Sequence, residues 1–326
     1  MAMKKLLIIV LCTMIALGVC CAGAEQSEAA LIPFYDAAEE LLCRTENVTL
    51  NGKAVFSLDG ETFKTAVSSY VQDGRRSVWD LRLSTPLRED NGFVIYADGL
   101  KRYVREIYCP EYPDTYITGT GGVETAVLRP SVRLDLMKEI ARQMTLRAEE
   151  ILPAGAFRLE TLPDGGTQAA VTLDGDIPMP IDAALNLGWQ FIIQRYFYMN
   201  YDQRSAEEMP SFDGAVSVWQ GLLGATSTLT LKSAAVTMTL DAEARLTAVN
   251  GTLSVWCNGW NEPTHRLDIT FSLDVTDRGA SAVRAFDPEA LGLTLREHWA
   301  DFTLFDEEEE EEQSGVPGFV WFNPGK

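Results

Sequence analysis

Between Asn47 and Leu83 the chain alternates apolar and polar residues along three runs set apart by two Asp-Gly dipeptides, and this pattern limits the fold more than any other. Val48, Leu50, Ala54, Phe56 and Leu58 alternate with Asn47, Thr49, Asn51, Lys53 and Ser57. Successive side chains leave a strand on opposite faces, so such a run has one dry face and one wet face. Asp59-Gly60 and Asp73-Gly74 are tight-turn dipeptides, because glycine supplies the positive φ that a two-residue hairpin needs. Trp79, Leu81 and Leu83 then share one face of a third strand. The region predicts an antiparallel meander that is covered on one side only.

The rest of the chain reads as helices and further meanders. Ala29 to Cys43 is an amphipathic helix, with Leu31, Phe34, Ala38, Leu41 and Leu42 on one face and Pro33 in its first turn. Phe93–Ala97 and Lys101–Ile107 form a hairpin about Asp98-Gly99, and Cys109 to Gly122 reads as a loop. Ser131 caps a second helix running to about Leu152, and short strands follow at Phe157–Thr161 and Thr167–Leu173. Pro180 opens a third helix, apolar almost all round, which predicts burial between layers rather than a surface position. Strands return from Thr226. Leu246 to Cys257 is expected to break at Asn250-Gly251, while Leu267 to Val275 alternates cleanly. Pro288 to Asp301 is expected to form a short helix.

The N-terminus predicts export. Lys4 and Lys5 precede the apolar run Leu6–Val19, and Ala22-Gly23-Ala24 fits a signal-peptidase site, with cleavage after Ala24. A lipid-anchored form, modified at Cys20 or Cys21, is the alternative, and only that form would tether the protein to a membrane. The expected organisation is a signal peptide over 1–24, one α+β domain over 25–285 and a disordered acidic tail over 286–326. Asp306 to Glu312 is an unbroken run of seven acids, which repel one another. The net charge of −20 argues against nucleic-acid partners. Cys43, Cys109 and Cys257 remain after cleavage, an odd number that reads as structural thiols rather than a disulfide scaffold.

No catalytic constellation is visible in the sequence. It contains two histidines, His265 and His298, and no HExxH, GxSxG, P-loop or GxGxxG pattern. No metal site or cofactor is expected, and the chain reads as a non-enzyme. The pattern [DN]-G-x-x-S-V-W occurs at Asp73–Trp79, Asp213–Trp219 and Asn250–Trp256. It reads as a turn feeding a strand with a tryptophan anchor, and a sugar-stacking tryptophan row is the alternative.

The entry helix AALIPFYDAAEELL, the strands VTLNGKAVFSL, TFKTAVSSYVQDG, SVWDLRLSTP and NGFVIYADGLKRYV, and the late segment VTMTLDAEARLTAVNGTLSVW together resemble LolA-type lipoprotein carriers and their LppX-like relatives. That resemblance implies a curved antiparallel sheet, a half-barrel, with helices packed on its concave face. It also implies an apolar or lipid-like ligand held between sheet and helices, for which Trp79, Trp189, Phe191, Ile192 and Tyr196 are the candidate lining. The alternative is a cell-envelope interaction or sensing module with the same fold, a filled core and a protein partner. A secreted hydrolase with two inward carboxylates is a third reading.

Overall fold

The computed structural model describes residues 31–295, apart from 86–87, 108–113, 121–126, 128–131, 147–151, 176, 184, 187–227 and 259–263. Helix α1 (Ile32–Cys43) enters first, with Pro33 in its opening turn as expected. Six strands follow: β1 (Asn47–Leu58), β2 (Glu61–Asp73), β3 (Arg76–Thr85), β4 (Arg88–Asp98), β5 (Lys101–Ile107) and β6 (Thr115–Thr120). Helix α2 (Val132–Leu146) precedes β7 (Phe157–Thr161) and β8 (Thr167–Asp174). The chain ends its described course with β9 (Thr228–Leu240), β10 (Leu246–Asn258), β11 (His265–Thr276) and the two-residue β12 (Thr294–Leu295).

All twelve strands join one open sheet, ordered β12-β6-β5-β4-β3-β2-β1-β11-β10-β9-β8-β7. It consists of two meanders, β1 to β6 and β7 to β11. They fuse where the first strand pairs antiparallel with the eleventh, Leu50 opposite Val275 and Leu58 opposite Leu267. Among the described strands only β12 runs parallel to its neighbour. This is the expected α+β class, an open antiparallel sheet with helices on one face. The Asp-Gly turns lie where the sequence put them, with Asp59 and Gly60 both at positive φ.

One face carries the core. On it lie Val48, Leu50, Ala54 and Phe56 of β1, Leu267, Phe271 and Leu273 of β11, Val249, Leu253 and Val255 of β10, and Val236, Met238 and Leu240 of β9. Helix α1 packs against β9 and β10 of this face, burying Phe34, Ala38, Leu41 and Leu42. Each large apolar chain of that kind stabilises the fold by about 1.5–3 kcal/mol. Bulges at Phe56/Ser57, Leu83/Ser84 and Ser254/Val255 interrupt the ladders, and extra residues of that kind bend strands.

Three expectations need correction. The region Cys109–Gly122 is not all loop, because Thr115–Thr120 forms β6. Helix α2 is described as far as Leu146, and the stretch 147–151 before its expected end near Leu152 lies outside the described residues. The strand through Asn250-Gly251 does not break, because Gly251 lies under the ring of Phe271, where only a residue without Cβ fits. The described part of Pro288–Asp301 is a turn followed by β12 and not a helix, since Leu291 and Gly292 close back on Asp287 and Glu289.

From Asp277 the chain crosses the outer face as a strap towards β6. The boundary expected after residue 285 falls within this strap, whose packing runs on to buried Leu293. The signal segment and the acidic run lie outside the described residues.

Candidate functional site

The core face is divided in polarity. Over β8 to β11 its buried residues are aliphatic and aromatic side chains with Cys257. Over β2, β3 and β5 it also carries buried Lys64, Ser68, Gln72, Ser77 and Arg102. The polar groups arise because β2 runs against the simple pattern. Its register opposite β1 puts Tyr70 against Leu50 and turns Val67 outward, 47% exposed.

Much of this polarity is satisfied internally, as buried polar groups require. Tyr70 donates its hydroxyl to Gln72 Oε1 at 2.7 Å, and Gln72 Nε2 donates to the Gly74 carbonyl at 3.2 Å. Arg102 Nη1 donates to the Gly99 carbonyl at 3.2 Å. Trp79, a candidate lining residue, is only 3% exposed. Its indole Nε1 donates to Ser68 Oγ at 2.8 Å and its ring meets Phe93 edge-on at 5.2 Å. The other candidates, Trp189, Phe191, Ile192 and Tyr196, lie outside the described residues.

The start of the expected third helix is described. Met179–Ala183, Leu185 and Asn186 are helical, and Ile181 and Leu185 are buried in the core. Strand β8 ends opposite Ser233, so Leu229 and Leu231 of β9 extend past its ladder. The helix takes over there. Asn186 Oδ1 accepts the Leu229 N–H at 2.8 Å, and its Nδ2 donates to the Leu229 carbonyl at 2.6 Å. Asp182 Oδ1 accepts the Leu231 N–H at 2.8 Å. These two side chains stand in for a missing strand and tie the described helix start to β9. The sequence shows only an Asp and an Asn one helical turn apart, and the reason for them appears only with the end of β8. Replacing Asn186 by Ala strands two backbone groups, and a loss of about 1–3 kcal/mol in chemical denaturation is expected.

One triad-like arrangement also occurs. Cys257 stands opposite His265 across β10 and β11, and His265 Nδ1 lies 2.7 Å from Asp59 Oδ2. Nucleophile, base and orienting carboxylate would follow in that order. The thiol does not suit the part. Cys257 is 2% exposed, and burial pushes its pKa up from 9.0 to about 11, the opposite of an activated nucleophile. Asp59 instead serves the turn, accepting the Arg266 N–H at 2.8 Å, and that bond with its His265 contact lowers its pKa.

Tyr35 ties α1 to α2 by donating its hydroxyl to the Lys138 carbonyl at 3.1 Å. Burial, then the nearby Glu39 carboxylate, push its pKa from 10.0 to about 12. Both Tyr35 and Cys257 are therefore held protonated by the fold. Their contribution is complete below the ordinary values and is lost as pH rises towards the folded ones. The denaturation midpoint is expected to fall between pH 9 and 12, and Cys257→Ala to flatten the lower part of that fall. In a variant with Cys257 as its single cysteine, a thiol reagent at pH 8 should react only after unfolding.

Among the described residues no group of three or more His, Cys, Asp or Glu could hold a metal ion. Among them, too, no helix is long and apolar enough to cross a membrane. The two tryptophans of the recurring pattern that are described do not form a row, because Trp79 faces the core while Trp256 lies on the outer face under Lys232 Nζ at 6.0 Å.

What the geometry defines is an α+β domain whose open antiparallel sheet has one buried face of mixed polarity, with α1 packed over its aliphatic β9–β10 part. No protein-family model matches the chain, and no curated protein matches it. Among solved structures it is similar to a LolA superfamily protein from Nitrosomonas europaea, at 10% identity over 78% of this chain and 94% of that one, with a TM-score of 0.21. It is similar, too, to a DUF1329 family protein from Desulfovibrio piger, at 10% identity over 78% of this chain and 93% of that one, with a TM-score of 0.21.

Proposed function

We infer that this is an exported, non-enzymatic domain that holds an apolar or lipid-like ligand between the core face of the sheet and its helices. The observation that carries this reading is the aliphatic core face of β8 to β11, which continues beneath α1 and the start of the third helix. Affinity on such a surface comes from apolar area removed from water, about 25 cal/mol per Å² before the costs of binding. Trp189, Phe191, Ile192 and Tyr196 follow directly on that helix start and are the proposed lining, with Trp79 on the sheet side. Export by a cleaved signal peptide, or a lipid anchor at Cys20 or Cys21, would place the domain in the cell envelope.

A fluorescent fatty acid titrated into the mature domain tests the reading. Saturable binding that weakens at least tenfold in Trp189→Ala and Phe191→Ala, with folding retained, supports it. Absence of binding to a panel of acyl probes counts against it. A second reading, an envelope interaction module with a filled core, is favoured by the tight packing of Trp79 against Ser68 and Phe93. That reading expects a protein partner and no bound lipid.

A further inference from the structure

The outer face carries a feature that the core does not need. Tyr96 and Tyr103 stand directly opposite each other on β4 and β5, and Tyr116 projects beside them from β6. Phe286 of the strap fills the space between the three rings. Its centroid lies 4.5 Å from Tyr103, 4.7 Å from Tyr96 and 5.2 Å from Tyr116.

The strap is anchored at both ends by contacts that an extended peptide makes. At the centre of the sheet, Asn47 Nδ2 donates to the Ser281 carbonyl and Asn47 Oδ1 accepts the Ser281 N–H, both at 2.8 Å. At the edge, Thr294 N–H donates to the Asp114 carbonyl at 3.0 Å, and β12 adds two residues alongside Thr115 and Tyr116. Between these points Ala282, Arg284, Ala285 and Asp287 are exposed, and Val283 is buried. The strap is thus held by the Asn47–Ser281 pair, by buried Val283 and Leu293, by the Phe286 plug and by a two-residue strand addition. Strand addition at a sheet edge with a side-chain pocket beside it is also a recurring mode of peptide recognition.

We propose that the Tyr96–Tyr103–Tyr116 platform and the β6 edge form a docking groove for an extended protein segment with a phenylalanine anchor, kept occupied in cis by Phe286. The strap defines the chemistry of the partner: an extended run, an aromatic ring in the platform, then a polar turn like Asp287-Pro288. Tethering gives the strap an effective concentration on the order of millimolar, so a partner must displace it or bind when it has been released.

The test uses the full mature chain and a fluorescein-labelled peptide with the sequence of residues 279–295. Phe286→Ala should bind this peptide at least tenfold more tightly than the wild type, whose own strap competes. Tyr103→Ala added to Phe286→Ala should abolish that gain, and a peptide with its phenylalanine changed to alanine should not bind. Equal affinity for wild type and Phe286→Ala, or indifference to the peptide's phenylalanine, would overturn the proposal. If Phe286→Ala does not fold, hydrogen exchange in the wild type decides: faster exchange over 281–295 at saturating peptide supports it, and unchanged exchange sinks it.

Discussion

Replacing Trp79 by alanine is expected to lower the stability of the domain by about 3–5 kcal/mol, the range for removing a packed aromatic side chain. The ring lies on the core face of β3, edge-on to Phe93, and its N–H satisfies Ser68. Truncation leaves both a cavity and a buried hydroxyl without its donor. Trp79→Phe should cost less, because it keeps most of the ring volume and loses the hydrogen bond. Urea denaturation of the three proteins measures this directly. A loss below about 1 kcal/mol for the alanine variant would mean that the space beside Trp79 is already open, since a residue on a cavity wall forfeits few contacts.

The second large effect is expected at Gly251. A Cβ there would lie 2.5 Å from Phe271 Cζ and 2.7 Å from the Ala235 carbonyl oxygen. The ring can move, but the carbonyl belongs to the ladder between β9 and β10 and cannot. Gly251→Val should therefore cost about 3 kcal/mol or more, at or above the usual range for overpacking. Adding Phe271→Leu should recover only the part due to the ring. Full recovery in the double variant would show that the backbone contact yields, and no loss in the single variant would contradict the register of β10 against β9.

These two sites also show what the sequence could and could not reveal. Trp79 was legible, because β3 alternates and its turn carries Asp73-Gly74. Gly251 was not. Asn-Gly in a strand has the local signature of a turn, and only the neighbouring Phe271 explains a glycine there. Strand β2 was legible as a strand but not in its facing, since register with β1 overrides the preference of Val67 for the interior. Strand β6 was hidden in a stretch rich in Tyr, Thr and Gly, whose strand state depends on pairing with β5. The strap was hidden for a similar reason. Phe286 is a lone aromatic in a weakly patterned segment, and its three tyrosine partners lie about 170 to 190 residues earlier.

The proposed site was legible in kind more than in detail. The sequence gives an apolar helix and a sheet with a dry face, which together need an interior layer. It does not show that part of this layer is polar, because Ser68, Tyr70 and Gln72 read as the wet side of β2 until the register is known. Nor does it show how the third helix is held, which depends on Asp182 and Asn186 meeting backbone that β8 leaves uncovered.

Native mass spectrometry of the domain purified from its native source, with organic extraction of whatever is bound, tests most directly the proposal of a ligand between sheet and helices. A stoichiometric adduct of lipid size, lost in Trp189→Ala with Phe191→Ala while the protein stays folded, is the predicted result. A bare polypeptide mass, repeated under gentle conditions, would contradict it and leave the filled-core interaction module as the standing account.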